Sequence, residues 1–130
     1  MSSRERQRRW DEDYLALAAF WAQRKSKDPS TQVGAVLVSE DGLREYLGYN
    51  GFPRGVQDRP ERYNVREEKY KFVVHAEPNA ILKAGLDARG GTIYTWPFPP
   101  CNDCAKLVIQ AGVKRVVAAV DKDVAHWGES

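Results

Sequence analysis

Two short clusters constrain this chain's fold more than any other feature: His75-Ala76-Glu77 and Pro100-Cys101-Asn102-Asp103-Cys104. They contain both of its cysteines and one of its two histidines. Each sits where loop or strand-end residues give way to helical periodicity, so each is expected at a helix N-terminus. Cys101 and Cys104, at i and i+3 of a first turn, put both sulfurs on one side. The positive end of the helix dipole lowers a thiol pKa there, and a thiolate is what zinc binds. Pro100 fits just before or at the first helical position, where its missing N–H costs nothing. His75 can add a neutral imidazole. Three protein ligands leave the fourth tetrahedral position to water, which distinguishes a catalytic zinc from a closed structural one. Zinc lowers the pKa of that water from 15.7 to about 7.

Glu77, two residues beyond His75, can reach such a water as a proton carrier without displacing it. Each half also admits a plainer reading. The cysteines suit a redox or buried pair, His75 a satisfied core position, and Glu77 a carboxylate stabilising the helix dipole by a few tenths of a kcal/mol. A structural zinc would want a fourth ligand, and His126, the only other candidate, lies in a polar tail. The coincidence of the two clusters carries the catalytic reading.

The 130 residues fit a single domain, and 42% apolar with 11% aromatic content suffices for one core. Charged residues make up 29% but nearly cancel to +2, too little for a dedicated nucleic-acid binder. The local excess, Arg4, Arg6, Arg8 and Arg9, falls in residues 1–9, expected to be a frayed polar leader. No apolar run suits a membrane span or secretory signal, so no membrane partner is expected. Two cysteines three apart are no disulfide framework, and a reducing, cytoplasmic setting follows.

Trp10, Tyr14, Leu15, Leu17, Ala18 and Trp21 recur at helical spacing, predicting a first helix over 10–25. Residues 27–31 make a loop. Strands are expected over 33–38 and 43–49, joined by Asp41-Gly42. The charged stretch 51–71 reads as an insertion, long enough to be functional or disordered. A second helix runs from His75 through Leu82 until Gly85, a third strand over 92–96, a third helix over 102–111, and a fourth strand over 114–120. This alternation predicts an α/β sheet with helices on its faces.

On these residues the chain resembles the deoxycytidylate (dCMP) deaminases of the cytidine deaminase superfamily, whose zinc members pair His-x-Glu with a distant Pro-Cys-x-x-Cys. The matching stretches are Ser26-Lys27-Asp28-Pro29-Ser30-Thr31-Gln32-Val33-Gly34-Ala35, Gly48-Tyr49-Asn50-Gly51, His75-Ala76-Glu77-Pro78-Asn79-Ala80-Ile81 and Pro100-Cys101-Asn102-Asp103-Cys104-Ala105-Lys106. Gln110-Ala111-Gly112-Val113 also matches, so the resemblance spans roughly residues 10–120. It implies a three-layer α/β/α fold around a mixed sheet and hydrolysis of dCMP to dUMP and ammonia, with one zinc held by His75, Cys101 and Cys104. By the same resemblance Glu77 shuttles protons between water, N3 and the leaving amine. Asn50 is expected on the sugar, and the main-chain N–H groups of Ala76 and Cys101 on the base. Arg24 and Lys25 are expected on the 5′-phosphate, although ordinary charge complementing a helix C-terminus also explains them. The resemblance further implies a homo-oligomer, often a hexamer. A second site for dCTP or dTTP, accompanied by Mg2+, would involve Gly48, Tyr49 and Gly51.

Three departures from the family pattern stand out. The insertion holds no cysteine or histidine for the second, structural zinc of some relatives. The approach Thr95-Trp96-Pro97-Phe98-Pro99-Pro100 is one residue longer than usual and is expected to line the pocket, which leaves base preference open. Relatives continue after the fourth strand with a helix and another strand. Either such a segment is lost or trimmed here, or a neighbouring subunit covers the sheet edge. Alternatives to dCMP are CMP, a nucleoside, free cytosine or a modified cytosine nucleotide. A tRNA-editing adenosine deaminase and a zinc-stabilised binding module without turnover are the more distant readings.

Overall fold

A computed structural model describes residues 1–52 and 73–119. The charged insertion beyond Phe52, and the tail from Val120 that carries His126, lie outside the described residues. The elements are α1 (Ser3–Lys25), β1 (Gly34–Val38), β2 (Glu45–Tyr49), α2 (Ala76–Ala84), a 3-10 turn (Gly85–Ala88), β3 (Thr92–Trp96), α3 (Asn102–Gln110) and β4 (Arg115–Ala118). No helix among the described residues is long and apolar enough to cross a membrane.

The four strands form one sheet in the order β2-β1-β3-β4. β1 pairs antiparallel with both β2 and β3, and β3 pairs parallel with β4, so the sheet is mixed. The hairpin joining β1 and β2 turns at Gly42, whose φ of 76° favours glycine. Asp41 Oδ1 stabilises the turn by accepting from Ser39 Oγ at 2.6 Å and Leu43 N at 3.0 Å. That turn delays β2 to Glu45, two residues after the expected Leu43.

Strand alternation sends side chains to two separate cores. Ala35, Leu37 and Ile93 face one side, where Ala76, Ala80, Ile81, Ala84 and Val108 of α2 and α3 cover them. Val36, Val38 and Tyr94 face the other, beneath Ala18 of α1 with Tyr14, Leu15 and Leu17 around it. Covered on both faces, all five residues of β1 are buried. Each large side chain interred this way stabilises by about 1.5–3 kcal/mol relative to exposure. Helix, sheet and helix thus make the three layers that the resemblance implies.

One expectation fails at the N-terminus. Residues 1–9 do not fray apart from the first helix; α1 begins at Ser3. Ser2 caps it by accepting from Glu5 N at 3.1 Å, and Glu5 places negative charge in the first turn. Gln7 Nε2 donates to Asp11 Oδ1 one turn on, at 3.0 Å. Arg, Glu and Gln are good helix formers, so these exposed residues continue the helix without burying anything.

Candidate metal centre and cleft

His75 and Cys101 occupy the N-cap positions of α2 and α3, with extended backbone at ψ 163° and 171°. N-cap side chains normally accept a hydrogen bond from the helix's free N–H groups. Neither of these does; they turn toward one another instead. His75 Nδ1 lies 3.1 Å from Cys104 Sγ and 3.6 Å from Cys101 Sγ. All three ligand atoms fall within 4.8 Å of one another. A tetrahedral zinc with ordinary bond lengths holds N and S about 3.6 Å apart and two sulfurs about 3.8 Å apart. The set therefore fits zinc through Nδ1 and both sulfurs with little adjustment, and the soft thiolates favour zinc over magnesium or calcium.

A cleft of about 310 Å³ opens beside this cluster, lined by His75, Glu77 and Cys101 together with Asp28, Thr31, Val33, Asn50, Val73, Phe98 and Pro99. Glu77 is 4% exposed and stands outside the ligand set. Burial raises its carboxyl to about 7, only partly opposed by a main-chain hydrogen bond. Burial likewise pushes the Cys104 thiol up, helped by the neighbouring charge of Glu77. A dication at the cluster acts against both, because it favours thiolate and carboxylate alike.

The strand beneath α2 explains how His75 and Glu77 are placed. At Gly48 of β2 a Cβ would run into the Ala76 carbonyl and come within 2.7 Å of Ala80 N. Only glycine lets the helix seat this closely. Gly51 N and O bond to Val74 at 3.0 and 2.7 Å, and the Tyr49 carbonyl accepts from Asn79 Nδ2 at 2.8 Å. Gly48, Tyr49 and Gly51 thus fasten β2 to the start of α2. Ala76 is fully buried at the first helical position.

Asn50 lines the cleft, but its amide is turned inward. Its Oδ1 accepts from Ser26 Oγ at 2.7 Å and Val33 N at 2.9 Å. Its Nδ2 donates to the Thr31 carbonyl at 2.8 Å and Asp28 Oδ2 at 3.3 Å. Arg24 and Lys25 are not brought to the cleft. Each lies over a ring of its own helix: Arg24 5.2 Å from the Phe20 centroid, Lys25 5.1 Å from that of Trp21. Neither is among the described residues lining the cleft. Sequence reading missed Asp28, Thr31, Val33 and Val73. Asp28 fell in a loop and in a stretch matching the family but was given no role, since its hydrogen-bond partner Asn50 is remote in the chain. Phe98 and Pro99 do line the cleft, as the lengthened approach to Cys101 suggested.

Residues 8–120 match the family model for the cytidine and deoxycytidylate deaminase zinc-binding region. The chain is 46% identical over 119 residues to a deoxycytidylate deaminase of Mus musculus, covering 87% of this chain and 66% of the relative. The Homo sapiens deoxycytidylate deaminase is 45% identical over the same shares. The chain therefore spans just under two thirds of the length of these curated relatives. Among solved structures, the apo dCMP deaminase from cyanophage S-TIM5 superposes with a TM-score of 0.68 at 30% identity, over 89% of this chain and 82% of that one. A cytidine deaminase from Burkholderia pseudomallei shares the fold, with a TM-score of 0.57 at 24% identity, over 86% of this chain and 87% of that one.

Proposed function

The chain belongs to the cytidine and deoxycytidylate deaminase zinc-binding family, and from that premise we propose that it hydrolyses dCMP to dUMP and ammonia. The observation that carries the reading is the convergence of His75 Nδ1, Cys101 Sγ and Cys104 Sγ within 4.8 Å, beside the buried Glu77. These three residues would hold zinc, which when bound supplies a Lewis acid and a water of lowered pKa.

Glu77 moves the protons. It accepts one from the attacking water and gives it to N3 of the pyrimidine as the hydroxyl oxygen bonds to C4. It then carries the remaining proton, from the hydroxyl now on C4, to the exocyclic nitrogen; the C4–N bond breaks, and ammonia leaves as the C4 carbonyl forms. One water is consumed and one amine released, so atoms and charge balance. Proton transfer by a placed group of this kind is worth about 10²–10⁴-fold. The main-chain N–H groups of Ala76 and Cys101, at the starts of α2 and α3, orient the base.

The proposal extends to the finer family properties. These are a cytoplasmic homo-oligomer, a hexamer by resemblance, and regulation by dCTP and dTTP with Mg2+ near Gly48, Tyr49 and Gly51. A substrate panel tests the core of it. Zinc-loaded protein is followed by absorbance with dCMP, CMP, deoxycytidine and cytosine, each with and without dCTP. Turnover should be fastest with dCMP. Faster turnover of deoxycytidine contradicts the nucleotide reading, and retained zinc without any deamination favours a binding module.

A further inference from the structure

The loop between α1 and β1 contributes to the cleft a buried carboxylate that the proton transfers do not use. Asp28 is 2% exposed and lines the same cleft as His75 and Glu77. Its Oδ1 accepts from Ser30 N at 3.0 Å, Ser30 Oγ at 3.0 Å and Thr31 N at 3.2 Å. Its Oδ2 accepts from Asn50 Nδ2 at 3.3 Å. A carboxylate is costly to bury unless it is hydrogen-bonded, and this one is bonded on both oxygens.

Asn50 is held equally firmly on its other edge. An asparagine amide offers two donor hydrogens and an oxygen with two acceptor sites. Here all four are spent, on Asp28, the Thr31 carbonyl, Ser26 Oγ and Val33 N. The amide cannot flip without loss. Val33 N–H can only donate, and the Thr31 carbonyl and the Asp28 carboxylate can only accept. Asn50, itself 5% exposed, is therefore a strut held by four partners, with Asp28 bracing its Nδ2 end.

We infer that Asp28 is a positioning residue: bonding Thr31 directly and bracing Asn50, which in turn holds Thr31 and Val33, it fixes the wall of the cleft that receives the nucleotide. The inference rests on the deaminase reading above. Steady-state kinetics with dCMP, alongside zinc content and thermal denaturation, test it in three variants. Asp28→Asn replaces the Oδ2 acceptor by a donor or turns the amide, and loses a charge-assisted bond; KM should rise about tenfold or more. The value of kcat should stay within about threefold, with one zinc per chain. Ser26→Ala removes a strut bond from a residue that does not line the cleft. It should raise KM in the same direction, by about threefold. The double variant should show less than the product of the two effects, because both act through Asn50.

Should Asp28→Asn fail to fold, the Ser26→Ala result decides. An unchanged KM in folded, zinc-loaded Ser26→Ala overturns the inference. So does an Asp28→Asn protein that loses kcat and zinc together at constant KM, which marks a general structural role. A zinc-loaded wild type that turns over no cytosine nucleotide overturns the proposed function and this inference together, whereas failure of the variants in an active enzyme overturns this inference alone.

Discussion

At two helix starts where Ser, Thr, Asp or Asn would usually cap the free N–H groups, this chain spends the position on His75 and Cys101. The substitution of ligands for caps leaves both helix starts without a side-chain cap where they border the cleft. It also separates residue roles cleanly. Cys101→Ala should abolish stoichiometric zinc, read by elemental analysis, because two protein ligands rarely hold a catalytic ion against competing water. Glu77→Gln should keep its zinc and lose activity by about 10²–10⁴-fold; substantial residual turnover at full zinc occupancy would contradict the proton-carrier role. These residues were legible in the sequence because their spacing is local: His-x-Glu and Cys-x-x-Cys each fit one helical turn. Asp28 was not. Its significance comes from Asn50, which the chain brings to it only once β1 and β2 have paired.

The elements show the same division between local and remote information. Turn and stop signals at Gly42, Gly85 and Gly112 marked element ends well, and each has a positive φ. The reason for Gly48 was invisible, since its neighbour is the backbone of α2 across the layer gap. Gly48→Ala should push α2 off β2, destabilise the fold by about 1–3 kcal/mol in denaturant titration and weaken zinc affinity along with it. Gly51→Ala serves as the contrast, because its Cβ would first meet the Tyr49 ring at an ordinary 3.4 Å. Equal losses in both variants would show that the close seating of α2 is not what matters.

Across the whole molecule, the N-terminal half of α1 is tied to the far edge of the sheet through Asp11. Arg115 donates to its two oxygens at 2.8 and 2.5 Å, and Tyr94 Oη donates at 2.7 Å. Burial pushes the Asp11 carboxyl up, but its bonds to Arg115, Tyr94 and Gln7 outweigh that and hold it below the ordinary value. A pKa depressed in the folded state stabilises above the unfolded value near 4 and loses that contribution as the pH falls through the folded one. Wild-type stability should therefore decline below about pH 4, and Asp11→Asn should flatten that decline while lowering stability near neutrality by about 1 kcal/mol. This tether also explains why a leader expected to fray is helical: a cap at Ser2 starts a helix whose third turn is anchored tertiarily. The layer order was readable from alternating strands and helices. The sheet order β2-β1-β3-β4 was not, because nothing local tells a strand which neighbour it will take.

X-ray absorption at the zinc edge of the purified chain tests the central claim most directly. One zinc per chain, with two sulfurs at about 2.3 Å, one imidazole nitrogen at about 2.0–2.1 Å and one further light atom, is the predicted shell. A shell without sulfur, or one closed by four protein ligands, would contradict it.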